Sequence, residues 1–138
     1  MHGQPTDYWG KLRLDDSKSA SPVIVEWHPL VDHSADVAAC LLALLEVPTY
    51  RRLVEQHVGA TLSDVVRHRL AAIAFLHDLG KLNGGFQSKP WPPGQRHSSA
   101  PRGHASEAFS LLCDPHLVTA FQTIMPAAEM ASWFGDCE

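Results

Sequence analysis

The residues of this sequence best suited to chemistry form one short run, His77-Asp78-Leu79-Gly80-Lys81. Imidazole and carboxylate groups are both good ligands for a divalent metal ion. Adjacent side chains on an ideal helix point about 100° apart, so the His-Asp pair can converge on one ion only where a helix ends. Gly80 gives the backbone that freedom, and Lys81 is placed to hold a phosphate or to neutralise developing charge. The run predicts a metal site, although such a pair taken alone is more often an exposed helix cap.

A second histidine, His33, lies on a helix whose other core-facing residues are apolar, so its side chain is expected at or near the interior. A buried histidine is most often a hydrogen-bonded core residue. With His77 and Asp78 available as partners, a metal-ligand role is the better interpretation. Asp32 and Asp36 flank His33 and could orient its ring, but a solvated helix face explains them more simply.

The segment 83–103 is rich in Gly, Pro and Ser and is predicted to be a long active-site loop, after which His104 opens another helix. A histidine at that position can reach back across a cleft as a further ligand. The loop contains cations and an aromatic residue, a combination that suits single-stranded nucleic acid, although an ordinary solvated loop is equally open. These candidate binding residues are Lys89, Trp91, Arg96 and Arg102.

Helices must position these groups, and the apolar spacing predicts where they lie. We expect helices from Pro29 to Pro48, from Thr49 to Val58, and from Thr61 or Ser63 to about Asp78, the last being the most buried; helical pattern resumes near His104. Residues 1–28 are expected to form an irregular lead-in with at most a short extended piece at Val23–Trp27. Because no alternating strand pattern of useful length occurs, the predicted fold class is all-α.

Length, charge and cysteine content exclude several classes of protein. The length of 138 residues suits one domain, 1–138, and the net charge of −4 argues against a protein that coats nucleic acid. No uncharged run approaches the ~18 residues that span a bilayer, so no membrane association is expected. Three cysteines without a CxxC motif fit a reducing, cytoplasmic location.

The sequence resembles a known family in three motifs, which in order are WHPLVDHSADVA, AFLHDLGKLNGGFQSK and RGHASEAFSLL. The family is the HD nuclease domain of the CRISPR-associated helicase–nuclease of type I CRISPR systems, within the HD superfamily of metal-dependent phosphohydrolases. The resemblance implies an HD-domain helical bundle around a divalent-metal site that cleaves single-stranded DNA in antiviral defence. It also implies two partners: the CRISPR RNA-guided surveillance complex and a helicase domain on the same or another chain.

Carried over residue by residue, the resemblance implies metal ligands at His33, His77 and Asp78, with Asp78 bridging two ions. His104 matches a ligand for the second ion. Lys81 matches the lysine of the motif and is expected beside the metals and the scissile phosphate. A donor set of imidazole and carboxylate suits Mn²⁺, Fe²⁺, Co²⁺ or Ni²⁺, and Mg²⁺ is also open.

The sequence also departs from the family. In the family a consecutive His-His pair and a later Asp complete the metal site, and neither has a match before Glu138. We therefore expect the N-terminal part of a nuclease domain or a degenerate homologue. Two alternatives to a DNA nuclease stay open: an HD phosphohydrolase of nucleotides or cyclic nucleotides, and an inactive HD scaffold that binds partners.

Overall fold

The computed structural model describes residues 8–15, 23–91, 103–108, 114–124 and 126–133. Two strands come first, and helices follow them. The elements in chain order are β1 (Trp9–Asp15), β2 (Val23–Pro29), α1 (Leu30–Glu46), α2 (Pro48–Val58), α3 (Asp64–Leu76), a 3-10 helix (Leu79–Leu82), α4 (Gly84–Gln87), α5 (Pro115–Ile124) and α6 (Ala127–Ser132). Residues 105–108 are also helical. The molecule is therefore mostly helical, with a small sheet at its N-terminal end.

The sheet consists of β1 and β2, which pair antiparallel with Leu12 opposite Trp27. The expected extended piece at Val23–Trp27 is confirmed and forms most of β2. The prediction of an irregular lead-in is wrong for Trp9–Asp15, which forms β1. The predicted all-α class is correct for the helices but misses this two-stranded sheet. The alternation in β1 covers too few residues to predict a strand by itself, because a short strand is stabilised mainly by its pairing with another segment.

Helices α1 and α2 begin and end where local signals predict. Pro48 lies in the first turn of α2, where its missing N–H costs nothing, and it separates α2 from α1. Gly59 ends α2 in the left-handed conformation with φ 71°, which glycine adopts without steric penalty. The predicted boundaries of these two helices are confirmed.

Helix α3 carries the residues that lead to the His-Asp pair. The Ser63 hydroxyl accepts a hydrogen bond from the backbone N–H of Val66, which caps the helix as predicted. The expectation that α3 is the most buried helix is wrong, since only Ala71 is buried in it and Val65 is 60% exposed. Apolar residues on several faces of a helix predict burial only if other elements pack against each of those faces. Helix α1 contributes more buried residues, namely Leu30, His33, Ser34 and Leu45.

The predicted loop over 83–103 begins with helix α4 rather than with irregular chain. In α4, Phe86 is buried and its ring stacks on Trp9 of β1 at a centroid distance of 4.6 Å. This contact places the N-terminal strand directly over the segment that follows the His-Asp pair. No helix among the described ranges is long and apolar enough to cross a membrane.

Candidate metal centre

Asp78 lies at the centre of the candidate site. It follows α3, and its backbone at φ −106° and ψ 14° has left the helical path, so its side chain turns inward and the residue is only 4% exposed. One carboxylate oxygen, Oδ2, lies 3.1 Å from His33 Nε2 and 3.0 Å from His77 Nε2. The other oxygen, Oδ1, lies 3.5 Å from His104 Nε2. A single carboxylate is thus flanked by histidines at both of its oxygens.

His33 reaches Asp78 because α1 packs along α3 and turns this side chain into their interface. The residue is 7% exposed, in agreement with the interior position expected from its apolar helix face. Its ring meets the His77 ring edge-on, with the centroids 5.6 Å apart. The structure therefore brings together residues that are 45 positions apart in the sequence.

A hydrogen bond to the backbone of α3 determines which ring nitrogen of His77 carries a hydrogen. His77 Nδ1 lies 2.7 Å from the backbone carbonyl oxygen of Ala74, and because a carbonyl only accepts, Nδ1 carries the hydrogen and donates it. When the ring is neutral, its lone pair is therefore on Nε2, the atom that lies 3.0 Å from Asp78 Oδ2. Metal-binding histidines are commonly oriented in this way, with the second ring nitrogen donating to a backbone carbonyl.

The donor atoms of His33, His77 and Asp78 fit a divalent cation. One ligand atom from each lies within 4.8 Å of the others. Bonds of about 2.0–2.2 Å from a single ion to nitrogen and oxygen donors are compatible with this spacing. Two imidazoles and a carboxylate are the donor types that divalent transition metals accept. These residues could therefore hold an ion, and the second oxygen of Asp78 points to His104 as a further donor.

Charges around the site keep its groups in the states that a metal requires. Burial alone raises the pKa of the Asp78 carboxyl, but the hydrogen bond and charge of Lys81, with the charges of His77 and His104, hold that pKa below its usual value. Burial is the largest cause that lowers the pKa of His33, and the positive charges of Lys81 and Lys11 lower it further. An ionised Asp78 and a neutral His33 are both ready to bind a cation.

Lys81 contacts protein acceptors. Its ammonium donates to Asp78 Oδ2 at 2.6 Å and to the Gly10 carbonyl oxygen at 2.9 Å, and the residue is 9% exposed. The sequence led us to expect this lysine beside a phosphate. In the structure its direct effect is on the position and ionisation of Asp78.

The candidate nucleic-acid residues of the loop are only partly described. Lys89 Nζ lies 4.4 Å from the centroid of the Phe86 ring, which itself meets the His104 ring at 5.3 Å. This places a cation close to the metal site. Trp91 is half-buried at the end of the described segment, while Arg96 and Arg102 lie outside the described residues.

Sequence reasoning missed the contribution of β1. Gly10 accepts from Lys81, and Trp9 makes hydrogen bonds with Gln87 through both its backbone and its indole. The one sequence signal for this segment is the alternation of Lys11 to Leu14 that follows it, which indicates a strand but not where that strand packs.

The lowered pKa of His33 predicts how the stability of the metal-free protein depends on pH. Below the ordinary value of 6.5, the unfolded state binds a proton at this histidine that the folded state does not. The free energy of unfolding is therefore expected to fall as pH drops below that value. Urea denaturation in EDTA between pH 8 and pH 5 measures this, and a His33→Gln variant should show a smaller fall. An identical pH dependence in the two proteins would contradict the prediction.

Comparison with known proteins was consistent with this geometry. The family model described as the Cas3 HD domain matches residues 9–131, a range that includes β1 and every side chain around Asp78. Searches of curated proteins and of solved structures gave no match. Since the family model covers most of the sequence, the chain belongs to the Cas3 HD-domain family.

Proposed function

We propose that this domain hydrolyses phosphodiester bonds of single-stranded DNA, as the nuclease module of a type I CRISPR effector. The family supports the general part of the proposal, because a Cas3 HD domain is a metal-dependent nuclease module. The observation that carries the proposal is the arrangement of Asp78, whose Oδ2 meets His33 and His77 while its Oδ1 faces His104.

The proposed ligands follow from that arrangement. His33, His77 and Asp78 would hold one divalent ion, and Asp78 together with His104 would contribute to a second, with Mn²⁺, Fe²⁺, Co²⁺, Ni²⁺ or Mg²⁺ as candidates. Such ions lower the pKa of water and neutralise charge on a phosphate. Within the chain itself, a neutral His77 would present its Nε2 lone pair, and Lys81 keeps Asp78 ionised and aligned.

The surroundings of the site support a single-stranded substrate. A groove of about 600 Å³ extends from His33 along β1, β2 and α1, and Lys11 and Trp27 line it. Arg13 also lines it, with its guanidinium paired to Glu26. Cations neutralise a nucleic-acid backbone, and an aromatic ring provides a stacking surface for an unpaired base. Lys11 lines the same groove as His33, so a phosphate bound near the metal site would lie within reach of this cation. Lys89, beside Phe86, adds a second cation near His104.

The substrate is tested by incubating the protein with Mn²⁺ and a set of phosphodiesters. We expect cleavage of a single-stranded oligonucleotide, weaker cleavage of the same sequence as a duplex, and little turnover of a cyclic nucleotide. His77→Ala should reduce the rate by more than the ~100-fold that loss of an outer partner of a metal ligand costs. The matched control is His57→Ala, since His57 is an exposed histidine of α2 away from the site.

Each alternative has its own outcome in this experiment. Turnover of the cyclic nucleotide without cleavage of DNA would identify a nucleotide phosphohydrolase on the same fold. Binding of no Mn²⁺, or of one ion instead of two, in a calorimetric titration would support an incomplete HD scaffold that binds partners but does not hold two metals. Cleavage of DNA by His77→Ala at the wild-type rate would overturn the assignment of the site.

The proposed partners follow from the family alone. Because the chain belongs to the Cas3 HD family, we propose that it acts with a CRISPR RNA-guided surveillance complex and with a helicase domain, on the same chain or another. Binding of the purified domain to each component, measured separately, tests this part.

A further inference from the structure

We propose that the Trp9–Gly10 segment of β1 is a positioning element of the metal centre, although none of its atoms is a candidate ligand. Its role is to fix His33 and Lys81 against Asp78. The inference rests on the metal site proposed above and adds positioning residues to it, namely Gly10 and the side chain that holds it in place, Gln87.

The first argument is steric. A Cβ atom on Gly10 would lie 2.8 Å from His33 Cβ, 3.2 Å from His33 Cγ and 3.0 Å from Leu30 Cα. Real Cβ atoms essentially never make the 2.8 Å contact, and the other two are tighter than most, so the close approach of β1 to α1 favours glycine at this position. The backbone of Gly10 therefore lies directly against the first atoms of the His33 side chain. This contact restricts the orientations that the His33 ring can adopt.

The second argument concerns the ammonium of Lys81. It donates to the carbonyl oxygen of Gly10 at 2.9 Å and to Asp78 Oδ2 at 2.6 Å. The Gly10 carbonyl is thus the second of two acceptors that fix this buried cation. A shift of the segment would leave the ammonium with one acceptor and would alter its contact with the carboxylate that faces the metal site.

The third argument is that Gln87 holds the segment firmly. Its Oε1 accepts from the Trp9 N–H at 3.1 Å, and its Nε2 donates to the Trp9 carbonyl at 3.0 Å and to the Lys81 carbonyl at 2.8 Å. The Trp9 indole N–H donates to the Gln87 carbonyl at 3.2 Å. One side chain amide therefore joins the N-terminal strand to the backbone of Lys81. On the other side, the N–H of Leu30 donates to the Tyr8 carbonyl at 2.7 Å.

Together these contacts couple the segment to two groups that meet at Asp78. Gly10 touches His33 through packing and Lys81 through a hydrogen bond, while Gln87 fixes the distance between the segment and the Lys81 backbone. Groups that orient metal ligands typically contribute about 10- to 100-fold to metal affinity. We assign a contribution of that size to Gly10 and to Gln87.

The test measures Mn²⁺ affinity by isothermal titration calorimetry on the 138-residue chain. Gly10→Ala is expected to weaken binding by about 10- to 100-fold. The matched control is Gly84→Ala, because a Cβ on Gly84 would have no atom within 4 Å. Far-UV circular dichroism establishes that each variant is folded at the temperature of the titration. A lower affinity then cannot be explained by unfolding of the variant.

A second pair of variants removes the contacts without adding a steric clash. Gln87→Ala should weaken Mn²⁺ binding in the same range. Gln87→Glu keeps the acceptor for the Trp9 N–H but sets a carboxylate oxygen against the Trp9 and Lys81 carbonyl oxygens, so it should weaken binding at least as much. If Gly10→Ala does not fold, the Mn²⁺ affinity of Gln87→Ala tests the positioning role instead. Wild-type affinity in folded Gln87→Ala would overturn the positioning role while leaving the metal centre intact. A wild-type protein that binds no Mn²⁺ would overturn the metal centre and the positioning role with it.

Discussion

Asp78→Asn is expected to abolish Mn²⁺ binding and DNA cleavage and also to destabilise the fold by roughly 3 kcal/mol. The variant loses the one carboxylate that the described residues place among His33, His77 and His104. It also removes the negative charge next to Lys81, whose buried ammonium has the Gly10 carbonyl as its other acceptor among the described residues. Titration calorimetry measures the first effect and urea denaturation in EDTA the second. Asp32→Asn, which changes an exposed carboxylate of α1, is the matched control.

The two effects of Asp78→Asn have different origins and can be separated. In the double variant Asp78→Asn with Lys81→Met, no buried ammonium is left without its charged partner, so much of the lost stability should return. Metal binding should not return, because the carboxylate ligand is still absent. Recovery of stability without recovery of binding is the expected pattern. Retention of wild-type Mn²⁺ affinity by Asp78→Asn alone would contradict the role of this residue.

Gly80→Ala is the second substitution with a large expected effect. A Cβ at this position would lie 1.7 Å from the His104 carbonyl oxygen and 2.7 Å from the Ala108 nitrogen, both of which are backbone atoms. Backbone of the 104–108 segment must therefore move, and His104 should leave its position 3.5 Å from Asp78 Oδ1. Overpacking of this severity is expected to cost at least ~3 kcal/mol of folding stability.

A direct comparison shows whether Gly80 acts through His104. If displacement of His104 is the cause, the rate of DNA cleavage in Gly80→Ala should resemble that in His104→Ala, and combining the two should add little. Gly84→Ala again provides a control with open space around the added methyl group. A folded Gly80→Ala protein with full activity would show that His104 is not held in place by this contact.

Local sequence signals predicted the parts of the fold that depend on near neighbours. Pro48, Gly59 and Ser63 mark helix ends by their own backbone and hydrogen-bonding properties, and the structure has those ends. The run from His77 to Lys81 likewise identified the candidate site, because two of its ligands are adjacent in the chain. Its glycine has another role than the expected one, since Gly80 lies in the 3-10 helix and makes room for the backbone of His104. Such signals require no knowledge of long-range contacts.

The pairing of β1 with β2 and the contacts of the Lys81 side chain could not be predicted in this way. Trp9 and Gln87 are 78 positions apart, and nothing in either local sequence indicates that they pair. Lys81 has a long side chain that could equally reach a phosphate or a neighbouring carboxylate. Which of these it contacts depends on the Gly10 carbonyl, which is supplied by a strand that the sequence pattern was too short to predict.

The pairing of Trp9 with Gln87 has a consequence for how the protein is made. During synthesis Trp9 emerges from the ribosome first, and its partner is added 78 residues later. Closing so long a loop carries an entropic cost and must await the helices that lie between the two ends. The candidate site is therefore expected to be among the last parts of this region to assemble. A nascent chain would therefore carry His33 long before the complete set of candidate ligands could bind a metal ion.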